Sequence, residues 1–155
     1  FCARSVSLVD ELLEKYPNDV KVVIKNFPLG SHKQARKAAQ YALAAHKQGK
    51  YKEMYHKIFD TYKELRNDED LPKKIAAEMG LDVAQLMADM NSTEINELID
   101  FEYNQLAALR NAYPETDQYA AGVRIAVPKF FINGREPLGR GIAQFSTMIE
   151  EELKK

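Results

Sequence analysis

The first amphipathic segment lies at the amino end of the chain. Apolar residues recur at helical spacing over residues 3–16, and charged residues fill the opposite face. A largely apolar run rich in β-branched residues follows at 20–27, and such a run is typical of a strand with one buried face. The pattern predicts a helix followed by a strand.

Helical periodicity dominates the middle of the chain. Ser31 and Gln34 have the spacing of a capping box, in which each side chain satisfies the other's free backbone donor, and predict a helix that continues to about Lys47. Asp82 with Gln85 suggests another cap. Further helices are predicted over residues 51–65, 71–79, 82–90 and 95–109.

A proline and an Asn-Gly pair shape the last third of the chain. Proline cannot donate to a sheet ladder, so Pro128 fits the first position of an apolar strand over 130–132. The Val127–Pro128 bond is a candidate for the cis isomer. Asn133-Gly134 is typical of a type I′ hairpin turn, which leads to an edge strand over 135–138.

A final helix with an apolar face completes the order of elements: helix, strand, about five helices, strand, hairpin strand, helix. The simplest architecture with this order is an α/β fold in which an all-helical block separates two halves of a sheet. The predicted core comprises residues 1–27 and 119–155, and the helical insertion comprises residues 28–118.

Composition restricts the functional classes. The 155 residues, 45% hydrophobic and 29% charged, are typical of one globular domain. The net charge of −1 gives no support to a nucleic-acid surface. No apolar run approaches the roughly 20 residues of a membrane helix.

Candidate chemistry centres on Cys2, the single cysteine. One cysteine cannot close an internal disulfide. At the start of a helix, free N–H groups and the helix dipole favour a thiolate, so we expect a lowered pKa. The histidines, His32, His46 and His56, lack metal-ligand spacing, and no metal site is predicted.

Several short motifs follow one another along the chain. They are Phe1-Cys2 at the helix start, residues 22–29, His32 with the alanine-rich helix, residues 48–51, Gly122-Val123, Val127-Pro128, and residues 130–134. Together they resemble the DsbA-like thiol-disulfide oxidoreductases over nearly the whole chain. The resemblance implies a thioredoxin-like fold with a helical insertion, a Cys-x-x-Cys motif at the first helix, and a cis-proline loop that faces it.

The chain departs from this family at its start. If it follows the Cys-Pro-Phe-Cys form, Cys2 is the second, resolving cysteine, and the first belongs two places before Phe1. The family's first central strand is also missing, and a sheet without it would expose much of its core. We therefore expect the sequence to be part of a longer protein with an intact mass above 17.7 kDa, and this part alone to be inactive.

The resemblance also implies roles for individual residues. Cys2 would resolve mixed disulfides. The backbone of Val127 would pair with an extended substrate peptide, with Pro128 and Phe1 also contributing to substrate binding. Lys129 stands where the family more often has a small residue, which puts the substrate groove in question.

The function that the resemblance implies is disulfide exchange on cysteine-containing proteins. It implies a periplasmic or otherwise extracytoplasmic enzyme, a membrane or soluble redox partner, and no metal or organic cofactor. Two alternatives stay open: a glutathione-dependent transferase or isomerase with serine in place of the leading cysteine, and a non-catalytic binding module. The residue two places before Phe1 distinguishes them, while oxidase, isomerase and reductase directions are all compatible with the sequence.

Overall fold

The computed structural model describes residues 1–122 and 124–155, and their regular structure is helical. Val123, part of the Gly122-Val123 motif, lies outside the described residues. The α-helices are α1 (Val6–Lys15), α2 (Ala35–Lys47), α3 (Tyr51–Asp60), α4 (Leu71–Glu78), α5 (Val83–Met90), α6 (Thr93–Ala108) and α7 (Ile142–Glu152), with short 3₁₀ helices at Ala3–Ser5, Glu64–Arg66 and Leu109–Ala112. Within this part of the chain, no helix is both long and apolar enough to cross a bilayer.

The predicted α/β fold class is wrong for the described residues. Residues 20–27, 130–132 and 135–138 form no strand there, and an isolated antiparallel bridge between Ile132 and Arg135 stands in place of a sheet. A strand exists only when a neighbouring segment satisfies its backbone groups, and apolar β-branched composition alone does not supply that neighbour. A central sheet with one strand missing is therefore not observed.

The chain divides into two compact units. One comprises Phe1–Ile24 and Ala126–Lys155, and we call it the terminal unit; the other comprises Lys25–Ile125, and we call it the helical unit. The correspondence of residues 1–27 with 119–155 to a family core, and of 28–118 to an insertion, stays a prediction.

A small core holds the terminal unit together. Leu12 and Tyr16, at the end of α1, pack with Phe145 and Ile149 of α7. The ring of Phe130 meets that of Phe145 edge to face, with centroids 5.0 Å apart. This contact anchors the segment that follows Pro128.

The hairpin turn of the terminal unit agrees with its sequence. Asn133 and Gly134 both have positive φ, 46° and 81°, as a type I′ turn requires. Ile132 and Arg135 exchange backbone hydrogen bonds of 2.9 and 3.0 Å across the turn. The carboxylate of Glu152 on α7 accepts hydrogen bonds from the side chains of Lys155, Arg135 and Asn133, which lower its pKa to about 2.

The helical unit has the larger core. Its centre is α2, which contacts α3, α4, α5 and α6. Small alanine side chains on α2 allow these helices to approach closely. The buried residues are Tyr41, Ala42, Ala44, Ala45, Met54, Ile58, Leu65, Ile75, Ala76, Leu86, Met90, Ile95 and Ile99.

Of the two helix caps predicted from the sequence, one forms and the other does not. Asp82 accepts a 2.9 Å hydrogen bond from the backbone N–H of Gln85, which confirms the predicted cap of α5. The capping box of Ser31 and Gln34 does not form, and α2 begins only at Ala35 without a side-chain cap. Consecutive backbone turns occupy this segment instead, with His32 N–H donating to the Leu29 carbonyl.

Glu102 of α6 is a buried carboxylate, 7% exposed. It accepts hydrogen bonds from the backbone N–H and the side-chain amide of Asn26, at 2.7 and 2.8 Å. Next to it, the ring of Phe27 stacks on that of Tyr103 with centroids 4.4 Å apart. These contacts fix the first residues of the helical unit against α6.

Candidate functional site

Cys2 lies immediately before the first helical turn of the terminal unit. Its backbone is already helical (φ −60°, ψ −41°), and its half-buried thiol is free. Burial raises the pKa of this thiol above its ordinary value, while the positive amino terminus, a backbone hydrogen bond and the charge of Arg140 oppose the rise. The pKa of Cys2 is therefore raised and not lowered as the helix start led us to expect, because burial outweighs these three opposing effects.

Phe1 precedes the thiol and points into solvent, with 84% of its surface exposed. The guanidinium of Arg4 lies over its ring, 4.7 Å from the centroid. Such a cation–π contact limits the positions of an exposed ring. Phe1 thus presents an apolar surface next to Cys2 in the sequence.

Val127 and Pro128 are half-buried, and the peptide bond between them is cis, the isomer considered for it from the sequence. Pro128 lines a cleft of about 20 Å³, room for roughly one water molecule. The other lining residues are Lys129, Phe130, Glu136, Pro137 and Arg140.

An ion pair lies in the wall of this cleft. Lys129 Nζ is 2.6 Å from Glu136 Oε1, and the lysine side chain is only 5% exposed. A buried ammonium requires such a partner, and the carboxylate compensates its charge. The sequence marked Lys129 as unusual but did not identify Glu136. The hairpin register was the available signal, because a turn at 133–134 places positions 129 and 136 on one face as diagonal neighbours.

Arg140 is near two of the predicted site residues, Pro128 and Cys2. Its side chain is exposed and lines the cleft with Pro128, and its positive charge partly opposes the rise in the pKa of Cys2. The flanking glycines pack on Gln144, because an added Cβ would lie 3.2 Å from Gln144 Cγ at Gly139 and 2.7 Å from Gln144 Oε1 at Gly141. Sequence reasoning missed Arg140, and only the Gly-x-Gly spacing before α7 pointed to a special loop.

A larger depression occurs on the helical unit but contains none of the predicted site residues. It measures about 400 Å³ and is lined by Asp70, Lys73, Lys74, Ala77 and Val83. Asp70 already pairs with Lys37 at 2.7 Å, and Lys74 pairs with Asp68. Within residues 1–122 and 124–155, no three His, Cys, Asp or Glu side chains gather as a metal site would require. The terminal unit therefore holds the candidate site.

A family comparison covers almost the whole chain. The model of the family described as thioredoxin matches residues 1–151. The chain belongs to the thioredoxin family. Membership is consistent with a redox role for a cysteine at a helix start, while the DsbA-like resemblance and the roles of Cys2, Phe1, Val127 and Pro128 stay predictions.

Curated relatives of this thioredoxin-family chain carry the name of a transporter. This chain is 28% identical over 135 residues to Na(+)/H(+) antiporter NhaA 1 of Mycolicibacterium vanbaalenii. The aligned region covers 86% of this chain and 20% of the relative. This chain is also 26% identical over 155 residues to Na(+)/H(+) antiporter NhaA of Herminiimonas arsenicoxydans. That aligned region covers 100% of this chain and 22% of the relative. The chain thus spans about a fifth of the length of these relatives. No solved structure matches it.

Proposed function

We propose that this thioredoxin-family chain catalyses thiol–disulfide exchange on cysteine-containing proteins, as a DsbA-like oxidoreductase. The observation that carries the proposal is the position of Cys2 at the first helical turn of a chain that matches the family over residues 1–151. In the proposed motif, the first cysteine lies two places before Phe1 in a longer protein.

The raised pKa of Cys2 supports a resolving role. The thiolate is the attacking species in disulfide exchange, and a thiol with a raised pKa is largely protonated at neutral pH. Cys2 is therefore a poor initial nucleophile, and our proposal gives that role to the first cysteine of the motif. Cys2 acts later, when the mixed disulfide is already in place.

Each step of the proposed exchange conserves electrons. The first cysteine attacks a substrate disulfide, forms a mixed disulfide and releases one substrate thiolate. Cys2 then loses its proton and attacks the first cysteine's sulfur, which releases the second substrate thiolate and leaves a disulfide in the protein. The substrate gains two electrons and the protein loses two; the reverse sequence oxidises a substrate dithiol.

We propose the loop at Val127 and Pro128 as the substrate-binding surface. The Val127 backbone pairs with an extended peptide, a mode in which main-chain hydrogen bonds give affinity. Phe1 adds an exposed apolar contact. We place this activity in the periplasm or another extracytoplasmic compartment, with a membrane or soluble redox partner that restores the motif.

Replacing Cys2 by serine in the full-length protein tests this function. The variant retains the first cysteine but not the resolving thiol, so we expect mixed disulfides with substrates to accumulate. Non-reducing electrophoresis and mass spectrometry detect them. As the matched control, a second serine two places before Phe1 should abolish the adducts. Recovery of only free protein from the single variant would contradict the proposal.

The residue two places before Phe1 also decides between related functions. Cysteine supports dithiol exchange, serine supports the glutathione-dependent transferase or isomerase, and any other residue supports a non-catalytic binding module. Sequencing the full-length gene identifies it.

A second candidate function comes from the names of the relatives. They are Na(+)/H(+) antiporters in which the matched region is about a fifth of the chain. We propose, as the alternative, a redox-responsive domain of such a transporter. Sodium-driven proton exchange by the full-length protein in everted vesicles should then change between oxidising and reducing buffers. Equal exchange in both buffers, or none in either, would exclude this alternative.

A further inference from the structure

Three charged side chains line the cleft beside Pro128, and the charges of two of them, Lys129 and Glu136, neutralise each other. Lys129 and Glu136 form their ion pair at 2.6 Å, and Lys129 is almost entirely enclosed. A closely paired lysine and glutamate present little net charge to an approaching molecule. The unusual lysine after Pro128 is therefore a poor contact for substrate.

Arg140 supplies the remaining charge. Its side chain is exposed at the cleft, and no carboxylate in the described part of the chain forms an ion pair with it. Guanidinium groups bind carboxylates through two parallel N–H donors, so an exposed arginine here is suited to an incoming carboxylate.

The loop around Arg140 limits where the guanidinium can reach. Gly139 and Gly141 both lie against the side chain of Gln144: an added Cβ would come within 3.2 Å of Gln144 Cγ at Gly139 and within 2.7 Å of Gln144 Oε1 at Gly141. Gly141 directly precedes α7, which fixes the end of the loop. A short loop held in this way spends less conformational entropy when Arg140 binds a ligand.

We propose that Arg140 selects protein substrates in which an aspartate or glutamate lies beside the reacting cysteine. This inference rests on the proposed disulfide exchange. Pro128 and Arg140 line the same cleft. An extended peptide bound at Val127 and Pro128 would therefore bring the side chain next to its cysteine near the guanidinium. The positive charge that acts on Cys2 attracts the substrate carboxylate as well.

Disulfide-bonded peptides that differ in one residue test the selection. The full-length protein is assayed with Asp, Asn or Lys next to the reacting cysteine, and kcat/KM is measured for each. We expect the wild type to favour Asp over Lys about fivefold, the upper end of the range for one exposed ion pair. In Arg140→Gln the ratio should fall below about twofold, and in Arg140→Glu it should invert. Because each ratio is taken within one variant, changes in Cys2 reactivity cancel.

Arg66→Gln is the matched control. Arg66 is also exposed but belongs to the helical unit, so its loss changes the net charge equally and should leave the ratio unchanged. An unchanged Asp-to-Lys ratio in Arg140→Gln, with the peptides still exchanged, would overturn this inference and leave the proposed function standing. No exchange of any peptide by the wild type would overturn both.

Glutathione disulfide serves as a further substrate in this experiment, because it carries carboxylates of its own that could bind Arg140. A lower Asp-to-Lys ratio in Arg140→Gln supports selection of protein substrates. A loss confined to glutathione disulfide would overturn that selection and assign the carboxylate to glutathione.

Discussion

The two units of the chain differ in how much core they contain and in where the candidate chemistry lies. The apolar cluster of the helical unit contains thirteen buried residues, whereas that of the terminal unit contains four, Leu12, Tyr16, Phe145 and Ile149. All the predicted site residues and Arg140 belong to the terminal unit. The part of the molecule with the least core carries the candidate site.

The difference follows from how each kind of element is stabilised. A helix satisfies its own backbone, so the helical unit needs only apolar faces that fit together. The terminal unit depends on the packing of α1, α7 and Phe130 around one small core and on the hairpin turn. A small core leaves little excess stability, so individual contacts there should matter more.

Phe145→Ala tests that dependence most severely. The ring is 2% exposed and touches Phe130, and removing it from so small a core should lower the free energy of unfolding by about 3–5 kcal/mol. Hydrogen exchange should show lost protection in α1 and α7 first. Equal loss of protection in α2 would contradict the expectation that the two units respond separately to this substitution.

Ile99→Ala measures the same kind of loss in the helical unit. Ile99 is fully buried, so we expect a cost of about 2–5 kcal/mol in urea denaturation, but with protection in α1 and α7 retained. Leu98→Ala on the same helix is the control, because Leu98 is already 39% exposed and should cost much less. Similar costs for both variants would contradict the assigned packing of α6.

Asp82→Ala should have a smaller effect. Loss of the hydrogen bond to Gln85 N–H removes the cap of α5, which typically costs about 1 kcal/mol. Ser31→Ala is the matched control, since its predicted capping box does not form and its loss should be nearly neutral. Thermal melts compare the two variants. A larger loss of stability in Ser31→Ala than in Asp82→Ala would indicate that the capping box of Ser31 and Gln34 does form.

The smallest expected effect is a pH dependence in the terminal unit. The pKa of Glu152 falls from its ordinary 4.5 to about 2 in the folded state, so its contribution is present above pH 4.5 and is lost as the pH falls toward 2. Comparison of acid unfolding with Glu152→Gln isolates this contribution. Identical pH profiles would show that Lys155, Arg135 and Asn133 do not stabilise the carboxylate.

The sequence predicted elements with local causes better than elements with distant ones. The helices follow from apolar spacing within each segment, and the turn at Asn133-Gly134 follows from two residues that tolerate positive φ. The prediction of a strand at 20–27 was wrong, because strand pairing requires a neighbouring segment that composition cannot specify.

The candidate site was predictable only in part. Cys2 and Pro128 stand out by residue type, but the pKa of Cys2 depends on burial, which the sequence does not show. Glu136 and Arg140 look like ordinary surface charges until the hairpin and the loop before α7 place them beside Pro128.

The bond between Glu102 and Asn26 determines where the helical unit can be excised. A segment that begins at Lys25 retains both donors to the buried carboxylate, whereas one that begins at Phe27 leaves that carboxylate without them. An unsatisfied buried acceptor costs about 1–3 kcal/mol. The smallest protease-resistant fragment of this unit should therefore begin at or before Asn26.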